Sequence, residues 1–337
     1  MLILLFSCER SVGVLKEDSD NYMQLNTRAG EDANSNKPCF IFWKLSDFND
    51  PGFDAAPLTP YVYSLPGSMI DDYNVTKYNT GKIYPPYAEP VYAVGVSPAS
   101  ILGATPGAWK TFAVDSSISG LVDIQCAPVI SGNEQTPFNA PLAFAHQLAK
   151  LEFKGYCGAS MKEDENKFID IQEIKISISS EDDNQWKWFP EELTWAHGSI
   201  GVGKYEVSAY ESEPASPLVA QISSSNSSPE IILLGKEDVI KEDAKPIGNF
   251  YLVPGFHKIT IKIEATYIDY TGDEGEPAPG NGVKHNRVWE EMVIENIHSN
   301  AGEPTIIGHS YTIFLGFERS KIILGVSLKD WEDDIEN

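Results

Sequence analysis

From Cys39 onward, apolar residues recur at every second position over short stretches, and turn-forming residues close each stretch. Ile174, Ile176 and Ile178 share one parity. So do Ile259, Ile261, Ile263, Ala265 and Tyr267, and later Tyr311, Ile313, Leu315 and Phe317. A last run follows in Ile322, Leu324, Val326 and Leu328. A two-residue period predicts strands with one buried and one solvated face, as antiparallel sheets have. The first half carries shorter strand candidates at residues 39–43, 61–63, 91–96 and 121–126. Residues 236–245 alone hint at a helix, and a short one.

Residues 141–154 pattern differently. Leu142, Phe144, His146 and Leu148 share one parity, and Ala149, Leu151 and Phe153 share the other. A strand that switches face predicts a β-bulge near Leu148-Ala149. Leu142, Ala145, His146 and Ala149 also fit a helical stripe, and the pattern leaves both readings open. A polar, charged break at residues 158–166 suggests a domain boundary. The expected division is an N-terminal segment at 1–8, an acidic leader at 9–36, a β-sandwich at 37–160 and a second at 161–337. Two sandwiches in tandem are the economical architecture for such an all-β chain.

The leading segment Met-Leu-Ile-Leu-Leu-Phe-Ser-Cys8 is apolar but too short to span a bilayer, which takes ~20 apolar residues. It looks like the tail of a lipoprotein signal peptide, with Leu5-Phe6-Ser7-Cys8 as the lipobox and Cys8 as the lipidated residue. The competing reading is a buried N-terminal strand with a chance cysteine. In the leader, Val12 to Leu15 and Tyr22 to Leu25 are the strand candidates.

Of the 337 residues, 42% are apolar, enough for packed cores. The net charge of −24, from 49 acidic and 25 basic residues, repels a phosphate backbone and argues against nucleic-acid partners. Cys39, Cys126 and Cys157 form no CxxC pair, so zinc and dithiol chemistry lack support. They allow at most one disulfide among themselves, and spacing does not choose the pair.

Candidate chemistry is sparse. His146 on an apolar face reads as a core histidine with a satisfied hydrogen bond. The other five histidines are dispersed, without ligand spacing. The acidic loop at 269–276 departs from EF-hand spacing and reads as a solvated hairpin. Gly201-Val-Gly203 lacks the third glycine of a dinucleotide site. None of the common hydrolase motifs occurs, and neither cofactor nor metal is expected. Trp186-Lys-Trp188-Phe189 offers a stacking platform for a sugar through Trp186 and Trp188, against a plainer role in core packing.

Several patches, in order along the chain, resemble the fimbrillin-like family of Bacteroidales, the major and minor fimbrium subunits. They are Thr27-Arg28-Ala29, Ile83-Tyr-Pro-Pro86, Val91-Tyr-Ala-Val-Gly-Val-Ser-Pro98, Val122-Asp-Ile-Gln125 and the histidine segment. Phe250-Tyr-Leu-Val-Pro254, Gly308-His-Ser-Tyr311 and Val326-Ser-Leu-Lys-Asp-Trp331 continue the series. Tyr84-Pro85 stands where the family has Trp-Pro, and Cys126 where an aliphatic residue is common. The resemblance implies two transthyretin-like sandwiches and export as an outer-membrane lipoprotein. It also implies cleavage between Arg28 and Ala29, which removes an N-terminal strand. Another fimbrial subunit then donates a strand to the vacated groove. The end after Trp331 is short and acidic, so either the strand from Ile322 to Leu328 is itself the donor or the chain donates nothing and suits a tip or accessory subunit that mediates adhesion to a host or bacterial surface ligand. The alternative is a surface glycan-binding lipoprotein that never polymerises.

Overall fold

The computed structural model describes residues 22–28, 38–44, 61–64, 70–72, 75–101, 111–157, 168–179, 185–196, 203–215, 218, 221–223, 231–234, 244–256, 258–269, 282–295, 304–317 and 322–330. Among them lie twenty-one strands and two single-turn 3-10 helices. In the first half these are β1 (Tyr22–Arg28), β2 (Cys39–Lys44), β3 (Tyr61–Ser64), β4 (Ile70–Asp72), β5 (Val75–Ile83), β6 (Val91–Ser97), β7 (Thr111–Ala113), β8 (Gln125–Gly132), β9 (Leu142–Ala143) and β10 (Ala145–His146). In the second half they are β11 (Ala149–Cys157), β12 (Phe168–Ser179), β13 (Pro190–Trp195), β14 (Tyr205–Ala209), β15 (Gln221–Ser223), β16 (Ile231–Leu234), β17 (Lys245–Leu252), β18 (Lys258–Asp269), β19 (Val283–Glu295), β20 (His309–Phe317) and β21 (Ile322–Asp330). The fold is all-β with open sheets. Most of the helix hint at 236–245 falls outside the described residues; its last residue, Lys245, begins β17.

A five-stranded sheet in the order β10-β8-β6-β2-β3 is apolar on both faces. Phe40, Val91, Ala93 and Ala127 point to one core, and Cys39, Ile41, Val94, Val96 and Cys126 to another. Each face must therefore be covered. The four-stranded sheet β4-β5-β1-β9 covers the first, with Leu142 and Tyr84 joining that core. The three-stranded sheet β14-β13-β7 covers the second with Phe112, Leu193, Trp195 and Tyr205. The rings of Phe112 and Trp195 meet Tyr205 edge-on, at 5.3 and 5.2 Å. The second body sets the sheet β17-β11-β20-β21 against β15-β12-β18-β19 across a single large core.

The boundary expected between residues 160 and 161 does not follow this packing. β11 precedes it, yet pairs with β17 and β20 in the second body. β13 and β14 follow it, yet β13 pairs with β7, Leu193 opposite Phe112, and the hairpin closes a core of the first body. The cause is the second apolar face of the five-stranded sheet. That face would be left in water, and the large side chains of the returning hairpin bury it.

The parity switch after Leu148 also has a different origin from the bulge expected there. Leu142 and Phe144 lie in one core of the first body, Leu148 in the other, and Ala149, Leu151 and Phe153 in the core of the second. The chain changes sheets at Gln147-Leu148, and the apolar side changes with it. β8 starts at Gln125, so residues 121–124 are not the strand expected there. Leu121 N–H instead donates to the Ile118 carbonyl at 3.0 Å in a turn.

Cys39, Cys126 and Cys157 are buried, and no disulfide joins any two of them. Val96 separates Cys39 from Cys126 across three strands, since it is opposite both. At ~4.8 Å per strand, that is beyond the ~7 Å limit for a disulfide. Cys157 belongs to the other body.

Candidate functional site: the place of the N-terminal strand

β1 is an interior strand of its sheet. It runs antiparallel to β5, with Tyr22 opposite Ile83 and Thr27 opposite Thr76. Its other edge is parallel to β9, with Thr27 opposite Leu142 and Arg28 opposite Ala143. The segment therefore satisfies backbone groups on two neighbours at once. Arg28 is its last residue. Cys8 and Ala29 lie outside the described residues.

The walls of this place are fixed by the core beneath. Leu142 is fully buried, and Phe144, two residues on, turns its ring onto Gly95 of β6. A Cβ at position 95 would come within 2.8 Å of Phe144 Cε1 and closer still to Cζ, so only glycine leaves room for the ring. At the other wall, β5 runs into Tyr84, whose hydroxyl accepts a 2.8 Å hydrogen bond from the Phe138 N–H. The two rings pack with centroids 5.6 Å apart, and burial raises the Tyr84 phenol above its ordinary value. Beyond Tyr84 the chain makes a tight knuckle. Tyr87 and Ala88 both take positive φ, 66° and 53°.

His146 sits one residue past Ala145 in β10. Its Nδ1–H donates to Asp123 Oδ2 at 2.7 Å, and Gln125 Nε2 donates to the same oxygen at 2.9 Å. This ties β10 to the lead-in of β8. The arrangement is that of a positioning histidine, oriented by a carboxylate at the edge of a sheet. Asp123 stands in the Val122-Asp-Ile-Gln125 patch, but nothing in the spacing pairs it with a histidine 23 positions later.

Of the two rings of the expected stacking platform, Trp188 is closed off. Trp188 is buried in the second core with its ring edge-on to Phe256, centroids 5.2 Å apart. Trp186 packs against the same core. A sugar needs an open ring face, and Trp188 has none to offer, while Trp186 is half-buried. Most of the acidic loop at 269–276 lies outside the described residues. Among the described residues, no group of three His, Cys, Asp or Glu could hold a metal ion.

No family profile matches the chain, and no curated protein does. Solved structures do. The likeness is to fimbrial and candidate cell-adhesion proteins. A candidate cell-adhesion protein from Bacteroides uniformis is 12% identical, with a TM-score of 0.48 over 93% of this chain and 99% of that one. A fimbrial protein from Bacteroides vulgatus is 9% identical, with a TM-score of 0.41 over 89% and 94%. The tip fimbrial protein Mfa3 from Porphyromonas gingivalis is 11% identical, with a TM-score of 0.37 over 92% and 99%. Similarity at this level reports a resemblance and assigns no role.

Proposed function

We propose that this chain is a subunit of a surface filament, a tip or accessory subunit, that assembles by exchange of its N-terminal strand. It is exported as an outer-membrane lipoprotein through Cys8. A protease then cuts after Arg28, β1 leaves, and a strand from another subunit takes its place between β5 and β9. Its activity is adhesion to a host or bacterial surface, with no catalysis.

One observation carries this reading: β1 is interior to its sheet and ends at Arg28, the residue of the Thr27-Arg28-Ala29 motif. Loss of such a strand opens two backbone edges together, one on each side. Unpaired edges and the apolar floor beneath them are costly in water, and an added strand relieves both. Each apolar side chain buried by the incoming strand adds ~1.5–3 kcal/mol, which suits a filament that hardly dissociates.

The test is the mature surface form. Its N-terminal sequence is expected to start at Ala29, and Arg28→Ala protein is expected to stay out of filaments. Filaments that incorporate Arg28→Ala protein at the parental level refute the maturation step. A mature form that retains a lipidated Cys8 end favours the non-polymerising lipoprotein instead.

A further inference from the structure

The knuckle after β5 combines three features. Tyr87 is 97% exposed and Ile83 is 63% exposed, the two most exposed large apolar side chains among the described residues. Tyr87 and Ala88 are consecutive non-glycine residues at positive φ, a conformation side chains avoid and that persists only where the surroundings impose it. The surroundings do impose it. Pro85 and Pro86 precede the pair and Pro90 follows closely, while buried Tyr84 anchors the base through Phe138. A rigid turn thus holds an aromatic ring out in water, where it gains nothing for the fold.

Position supplies the partner. Ile83 is the residue of β5 opposite Tyr22, so the knuckle stands at the end where chain enters the β1 place. A replacement strand is expected to run in the direction of β1. That direction keeps the long β5 ladder antiparallel, the more stable pairing, and leaves the parallel pairing to the two-residue β9. Residues just upstream of such a strand must then pass Ile83 and Tyr87.

We propose that the Ile83–Tyr87 knuckle is the docking surface for the subunit whose strand replaces β1, contacted by the residues immediately upstream of that strand. This rests on the strand-exchange reading above and names the contact it leaves open. Exposed aromatics that become buried at an interface are frequent energetic anchors.

The experiment places a photo-crosslinking benzoylphenylalanine at Tyr87 or, as a control, at Val288, which is 57% exposed on β19 of the second body. Filaments are sheared from the producing bacterium, illuminated and mapped by mass spectrometry. The expected result is a Tyr87 crosslink to a second subunit, upstream of its inserted strand, with none from Val288 at that segment. In parallel, Tyr87→Ser is expected to lower incorporation by about tenfold while leaving the melting temperature of the uncleaved protein unchanged. Filaments that contain the chain but give no Tyr87 crosslink, and that take up Tyr87→Ser normally, overturn the docking surface and leave strand exchange intact. A chain cut after Arg28 that enters no filament overturns both.

Discussion

Gly95→Ala probes the floor beneath the N-terminal strand. The new Cβ would lie 2.8 Å from Phe144 Cε1 and 3.2 Å from Cε2. Ordinary carbon contacts are ~3.5–4.0 Å, so ring and backbone must separate by about 1 Å. β6 cannot yield, because Gly95 is flanked by fully buried Phe40 on β2 and Ala127 on β8. The Phe144 ring must move. Overpacking of this kind costs ~1–3 kcal/mol, whereas glycine replacement gains only ~0.4–1 kcal/mol from a stiffer unfolded chain. At the middle of both ranges, about 2 against about 0.7 kcal/mol, the clash wins by about 1 kcal/mol. Urea unfolding of the intact chain should show a lower midpoint at an unchanged slope. Phe144 follows β9 directly, so limited trypsin digestion should also cut faster after Arg28. Phe144→Leu removes the ring and should relieve the clash, giving a coupling of ~1 kcal/mol in the double mutant. Wild-type stability in Gly95→Ala, or strict additivity of the pair, would refute the packing argument.

Two further outcomes follow from burial. Burial pushes the Cys126 thiol far above its ordinary range, and Cys39 and Cys157 are equally enclosed. Iodoacetamide should leave all three unlabelled in the folded protein even near pH ~8.5, and label them in urea, with peptide mapping as the readout. Native labelling within minutes would contradict the described core. Glu191 titrates above its ordinary value of 4.5, chiefly through desolvation and then through repulsion by Glu192. A raised carboxyl penalises the folded state as pH climbs from the unfolded value through the folded one. Glu191→Gln should therefore raise the melting temperature at neutral pH and lose that advantage below about pH 4.5. An equal gain at both pH values would disprove the assignment.

The alternating runs of the second half were legible because one face of each strand enters a common apolar core. Ile259, Ile261 and Ile263 are all fully enclosed in β18, as their spacing required. Boundaries were readable where proline closes a strand, as Pro98 does after β6. What the pattern could not carry was partnership. Leu193 and Trp195 mark a strand, but nothing local says that it covers the five-stranded sheet of the first body. The parity change at Leu148 was visible, yet a bulge and a passage between cores leave the same one-residue shift. The Tyr22 to Arg28 strand showed only a weak apolar pattern, and its pairing with β5 and β9 depends on residues 49 or more positions away. The positive φ of Tyr87 had no signal at all, since the usual glycine or asparagine is absent.

The stretch from β9 to β11 is short and continuous. Leu142 borders whatever strand lies beside β5, and the same chain, by Lys150, is paired with β20 and β17 in the second body. Under the proposed strand exchange, a pull on the inserted strand would reach the far sheet along the backbone from Leu142 to Lys150, without relying on side chains to pass it across. Tension would then be borne by that backbone, held at one end by the short β9 edge and at the other by the long ladders of β11, where many hydrogen bonds resist sliding together.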